Sequence, residues 1–287
     1  MHLRHASRSG PTILPMCPPL QRREFVQQLR QLGLAPGDVV MVHASLKAIG
    51  PVEAGAAGIV QALQDCLGPG GTLMAYVSWD RSPYEETLNG ASLDPAARLA
   101  WPAFDPADPR TGTEPGFGRL NAFICSAPGV LRSAHPDANM AALGARAREL
   151  VGEHPLDEGY GPGSPLERFV QFGGKVLLLG APLDAVTVLH HAEVLANIPH
   201  KRRVRYEQPV LDARGHKVWR VAEEFDTNGI LDQFAQDGAM DAVETIARAY
   251  VAEGRGRTAR VGGATCHLFD AQDLVRFGQA WLERHFG

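Results

Sequence analysis

The chain has 287 residues, 45% hydrophobic and 21% charged, with 31 Gly and 21 Pro, a composition that excludes disorder, coiled coil and collagen. Its length allows one large α/β domain or two small ones, and with no long Ser/Gly or charged linker in the chain we expect one. Lys and Arg number 28 against 32 Asp and Glu, so the formal charge is −4 and no overall basic field recruits nucleic acid or an anionic membrane.

Residues 1–19 carry basic residues and four prolines without a continuous apolar run, and read as a disordered leader rather than a signal peptide. The domain is expected over 20–287. Apolar residues at Phe25, Val26, Leu29 and Leu32 have the spacing of one helix face and predict a helix over 20–34. A buried strand over 38–43, a helix over 58–67 and a strand over 72–77 follow, a unit that suggests a parallel sheet covered by helices. Residues 78–118 are rich in Pro, Gly, Asp and aromatics and break that rhythm, so they read as a long loop covering a cleft.

Further elements are a helix over 120–126, a strand over 140–143, a helix over 166–171, a strand over 175–179 and a helix over 185–197. Strands over 203–211 and 217–222, joined by the turn residues Asp212 to Gly215, read as a β-hairpin. Helices over 241–252 and 271–285 close the chain. The expected fold is a layered α/β domain with a mixed, mainly parallel sheet flanked by helices, plus the hairpin and the long loop.

Several function classes are disfavoured. Cys17, Cys66, Cys125 and Cys266 form no CxxC pair, so they read as reduced thiols in a cytoplasmic protein rather than as a zinc knot or disulfide scaffold. The densest apolar stretch, 175–183, is shorter than the roughly 18 residues a membrane span needs. The glycines at 68–71 lack the Lys-Ser/Thr ending of a P-loop, and Arg30 to Ala35 fits a loose pyrophosphate-loop pattern but closes a helix instead of opening one. There is no G-x-S-x-G elbow and no cysteine with a sequence-adjacent base, so a covalent acyl-enzyme is not supported.

The stretch KVLLLGAPLDAVTVLHHAE at 175–193 is the most informative. A strand ends at Gly180, Asp184 is placed to cap the next helix, and Thr187, His190 and Glu193 recur every three residues on one face. A histidine oriented by a carboxylate is a general-base arrangement. The plainer alternative is one packed and one solvated histidine; a metal site is disfavoured because the HExxH spacing is missing. Between Val221 and Ala247 stand Glu223, Glu224, Asp226, Asp232, Asp237, Asp241 and Glu244 with no Lys, Arg or His. Together with Asp80, Glu85 and Glu86 beside Trp79 and Tyr84, these acids suit a polycationic, hydroxylated ligand, although a charge run is also the pattern of a solvated face. The basic residues at 200–205 and around Arg132 to His135 could attract a phosphate-bearing cofactor.

Four separated segments, GDVVMVHASLKAIGP at 37–51, SWDRSPYEETLNG at 78–90, RSAHP at 132–136 and TVLHHAE at 187–193, resemble the aminoglycoside N(3)-acetyltransferase family. The resemblance runs from about Pro36 to the C-terminus and implies acetyl transfer from acetyl-CoA, as co-substrate, to the 3-amine of a 2-deoxystreptamine ring, and so antibiotic resistance. It implies His190 as base, with Glu193 and Thr187 beside it, and His43, Ser45, Leu46, Lys47, Arg132, Ser133, His135 and Pro136 along the CoA side. Tyr76, Trp79, Asp80, Glu85, Glu223, Glu224 and Asp226 would hold the drug. No metal is expected, and the protein is expected to be a monomer or homodimer. An acyltransferase of the same fold acting on another amine, and a non-catalytic polycation-binding protein, are the alternatives.

Overall fold

Phe25, Leu29 and Leu32 form one fully buried stripe, which is why α1 (Arg22–Leu32) folds as an amphipathic helix. The computed structural model describes residues 18–287, so most of the leader and Cys17 lie outside the described residues. After α1 come β1 (Val39–Ala44), the single turn α2 (Leu46–Ile49), α3 (Gly55–Leu67) and β2 (Thr72–Tyr76). β2 pairs parallel to β1 with Met74 opposite Met41, as a crossover through α3 requires.

The stretch 78–118 is not one structureless loop. It contains α4 (Tyr84–Thr87) and α5 (Pro95–Ala100), the latter capped by the Asp94 carboxylate, which accepts from the N–H groups of Ala96 and Ala97. Next come α6 (Leu120–Cys125), β3 (Leu131–Arg132), β4 (Met140–Gly144), α7 (Ala147–Val151), α8 (Pro165–Gln171) and β5 (Lys175–Leu179). Ser164 caps α8 and Pro165 opens it, the residue types that favour a helix start.

Chain reversal after β5 depends on Gly180, at φ 70°, where an added Cβ would stand 2.8 Å from the Ala264 Cβ. The expected helix over 185–197 is shortened to α9 (Val188–Leu195), because 183–185 form a 3-10 turn and Ala196 is extended. Asp184 therefore belongs to the turn, and Thr187, not Asp184, occupies the N-cap position of α9. β6 (Arg203–Leu211) and β7 (Lys217–Phe225) form the expected hairpin, with β7 three residues longer than the expected end at Ala222. After α10 (Ala242–Ala252), an antiparallel pair, β8 (Arg257–Val261) and β9 (Ala264–Asp270), occupies a segment to which sequence pattern assigns no element; its signal is the Gly262-Gly263 turn. α11 (Ala271–Phe286) ends the chain.

Seven strands form one sheet in the order β3-β4-β2-β1-β5-β9-β8. The parallel pairs are confined to its centre, where β1 lies between β2 and β5; the β4, β3, β9 and β8 ladders are antiparallel, so the sheet is mixed as expected but not mainly parallel. Helices cover both faces of the centre, so its strands are buried on alternate sides: Met41, Met74 and Val176 pack on the side of α8, α9, α10 and α11. Val40, Leu73 and Leu177 pack against α1, α3 and α6.

Candidate active site

A cavity of about 660 Å³ opens at the carboxyl ends of β1, β2 and β5, the place where ligands enter α/β sheets. His43, Ala44 and Ser45 reach it from β1, Tyr76 and Ser78 from β2, and Ala181 and Pro182 from the turn after β5. Ser78 takes a left-handed φ of 41°, unusual for a non-glycine residue, and turns the chain so that Trp79, Asp80, Ser82, Tyr84 and Glu85 also line the wall. The hairpin closes the opposite side with Val204, Glu224 and Phe225.

Thr187 and His190 enter from the first turn of α9. His190 Nδ1 lies 2.7 Å from Oε2 of the buried Glu193, one helical turn on. The carboxylate accepts, so the imidazole proton sits on Nδ1 and leaves Nε2 as the basic nitrogen. Burial raises the Glu193 carboxyl above its ordinary value, and the His190 contact opposes that rise. His43 has no resolved partner for its buried Nε2 among the described residues, and burial lowers its imidazole to about 4.

Seven carboxylates line the cavity, from Asp80, Glu85, Glu114, Asp137, Asp184, Glu224 and Asp241, and no Lys or Arg stands among its described lining residues. Glu224 is fixed by two donors, the Tyr206 hydroxyl and the Gly159 N–H at 2.9 Å, while burial raises its carboxyl. Asp137 accepts from the Ser82 hydroxyl at 2.9 Å, and enclosure in the wall raises it to about 6. Two like-charged walls around one opening attract cations and repel anions.

The aminoglycoside 3-N-acetyltransferase family model matches residues 41–283, which include every lining residue of this cavity. The chain belongs to the aminoglycoside 3-N-acetyltransferase family. It is 61% identical to the aminoglycoside N(3)-acetyltransferase III of Serratia marcescens, over 90% of this chain and 96% of that one. Its structure is similar to aminoglycoside acetyltransferase AAC(3)-IIb, with TM-score 0.91 and 59% identity over 94% of this chain and 98% of that one. It is also similar to AAC-IIIb in its binary complex with CoASH, with TM-score 0.86 and 43% identity over 93% and 97% of the two chains. The chain is thus a transferase of the aminoglycoside 3-N-acetyltransferase family, on a fold that agrees with the layered α/β expectation.

Within this family member, the residues expected to act together divide into two groups. His190, Thr187, His43, Ser45, Tyr76, Trp79, Asp80, Glu85 and Glu224 line one cavity, with Glu193 directly behind His190. The others stand elsewhere. Glu223 and Glu224 are neighbours on β7, so strand alternation sends them to opposite faces: Glu223 is exposed and pairs with Arg203 at 3.4 Å. Asp226 is buried against Arg202 at 3.1 Å, which also pairs with Asp232, so Arg202 and Arg203 of the basic run at 200–205 are matched by local acids. Arg132 is outside the cavity lining and donates to the carbonyls of Thr111 (2.6 Å) and Gly112 (3.0 Å) and to Asn139 Oδ1 (2.7 Å). Ser133, His135 and Pro136 are buried outside the lining, as Leu46 is half-buried and Lys47 exposed on α2.

Sequence pattern missed Asp137, Tyr160, Glu114 and Asp184 as lining residues. Asp137 directly follows the RSAHP segment, and Tyr160 sits in a glycine-rich run at 159–163, signals that are visible only once the cavity is known. Among the described residues, no group of three or more His, Cys, Asp or Glu could hold a metal ion. No helix among them is long and apolar enough to cross a membrane.

Proposed function

We propose that this cytoplasmic enzyme transfers acetyl from acetyl-CoA to the 3-amine of the 2-deoxystreptamine ring of aminoglycosides, by direct attack, and so confers resistance. The single observation that carries the reading is the His190–Glu193 pair, opening with its free Nε2 side into a cavity of carboxylates. The acids receive the drug's ammonium groups through charge-assisted hydrogen bonds.

His190 removes a proton from the 3-amino group as its nitrogen attacks the thioester carbonyl carbon. A C–N bond forms, the oxygen takes the charge, and collapse breaks the C–S bond. CoA leaves as thiolate and recovers the proton from the imidazolium, which the buried Glu193 stabilises until then. Thr187 makes no capping bond and lines the cavity, so its hydroxyl is available to the oxyanion. Direct attack is favoured because no described cysteine lines the cavity.

The test is release of CoA thiol from acetyl-CoA with gentamicin, using streptomycin, which lacks the 2-deoxystreptamine amine, as control. Release with gentamicin alone establishes the acetyltransferase, and NMR of the product then assigns the acetylated amine. Tight gentamicin binding with no release from either drug would overturn it in favour of a binding protein.

A further inference from the structure

We propose that Gly159 and Tyr160 form a positioning segment for this reaction, held by two buried histidines, His154 and His191, that grip its two carbonyls and thereby set both Glu224 and His190. The proposal rests on the reading of His190 as the base. His154 Nε2 lies 2.9 Å from the Gly159 carbonyl, and His191 Nδ1 lies 2.8 Å from the Tyr160 carbonyl. A carbonyl can only accept, so each ring donates from that nitrogen. The remaining nitrogen of His154 accepts from the Ser133 hydroxyl at 2.9 Å, whose oxygen in turn accepts from the Met140 N–H at 3.0 Å. Burial holds both imidazoles below their ordinary value, so they stay neutral and keep these tautomers near neutrality.

The gripped segment acts in two directions. Its Gly159 N–H donates to Glu224 Oε2 at 2.9 Å, and no side chain fits there, since an added Cβ would stand 2.6 Å from that oxygen and 2.9 Å from the Ala138 Cβ. The Tyr160 ring lies 5.2 Å from the His190 ring, centroid to centroid, and its hydroxyl meets that of Tyr76 at 3.0 Å. A base and an acidic receptor on different elements are thus registered against one dipeptide. Loss of either imidazole N–H leaves a buried carbonyl without its donor, and the segment shifts to find another.

The two arms separate by kinetics. His191→Leu is expected to lower kcat about 10-fold to 100-fold, the usual cost of misplacing a reacting group by about 1 Å, with gentamicin Kd within about twofold. His191→Asn, whose amide N–H reaches the same carbonyl, should restore most of kcat. His154→Leu should raise gentamicin KM about 10-fold through Glu224, and His154→Gln should restore it. Folded Leu variants with parental kcat and KM, or Leu and amide variants equally impaired, overturn the proposal. Should the Leu variants fail to fold, His191→Met and His154→Met, which also lack the N–H but fill an irregular space more readily, take their place under the same outcomes. An inactive His190→Ala beside a parental His191→Leu defeats the clamp alone, whereas an active His190→Ala defeats the base reading first.

Discussion

His190 and Glu193 meet at 2.7 Å, Nδ1 to Oε2, with the imidazole edge open to the cavity and the carboxylate 2% exposed. The pair works because helix periodicity alone brings residues three apart together, and burial removes the water that would otherwise loosen the bond. His190→Ala should lower kcat by about 100-fold to 10,000-fold with little change in gentamicin Kd by calorimetry. Glu193→Gln can donate to Nδ1 and so place the imidazole proton on Nε2, the wrong tautomer; we expect a kcat loss of about 1,000-fold to 10,000-fold. Parental turnover in either variant would remove the assignment.

Glu223 and Glu224 give a paired test of the drug site, since they are adjacent in sequence and opposite in space. Glu224→Gln should raise gentamicin KM about 10-fold and weaken its dependence on salt, because screening acts on charge pairs. Glu223→Gln, which breaks only an exposed pair with Arg203, should leave KM and stability nearly unchanged. Equal effects from the two substitutions would mean that the cavity is not the receptor.

Asp137 couples stability to pH in a direction that can be worked out. Enclosure raises its carboxyl from 3.8 to about 6, so the folded chain holds a proton that the unfolded chain releases. The resulting cost is absent below about pH 4, grows between about 4 and 6, and is complete above. Asp137→Asn, which keeps an acceptor for Ser82, should therefore raise Tm by about 2 to 5 °C at pH 8 and leave it unchanged near pH 4. A gain of the same size at both values, read by calorimetry, would refute the assignment.

Arg132 ties the two ends of the 78–118 segment together through the carbonyls of Ser78, Thr111 and Gly112. Arg132→Met should cost roughly 1 to 3 kcal/mol, because carbonyls lose a charged donor. Limited proteolysis with mapped cut sites should show faster cleavage within 78–118, and gentamicin KM should rise as Trp79 and Asp80 lose their setting. Cleavage at the parental rate would show that the segment is held by other contacts.

Much of the local structure was legible because its determinants are local. Strand β5 at Lys175–Leu179, the hairpin around Asp212 to Gly215, and the three-residue spacing of His190 and Glu193 follow from hydrophobic period, turn chemistry and helix pitch. The resemblance carried by four separated segments supplied the family, which the comparison over 41–283 shows independently. The pair β8 and β9 escaped because β8 is mostly polar and exposed, and the alternation in β9 of buried Ala264, Cys266 and Leu268 with Thr265 and His267 opens on small residues that carry a weak apolar signal.

What the sequence by itself determined is the chemistry that lies within one element: a histidine and a carboxylate on one helical face, and an acidic tract near the end of a hairpin. Only the tertiary structure decided which charges share a space. It set Glu224 in the cavity and Glu223 outside it because β7 continues to Phe225, and it turned Arg132 and Asp226 to internal partners. Whether a charge meets a ligand, an ion-pair partner or water depends on contacts between residues tens of positions apart, and those contacts are fixed by packing rather than by the neighbours a residue has in the chain.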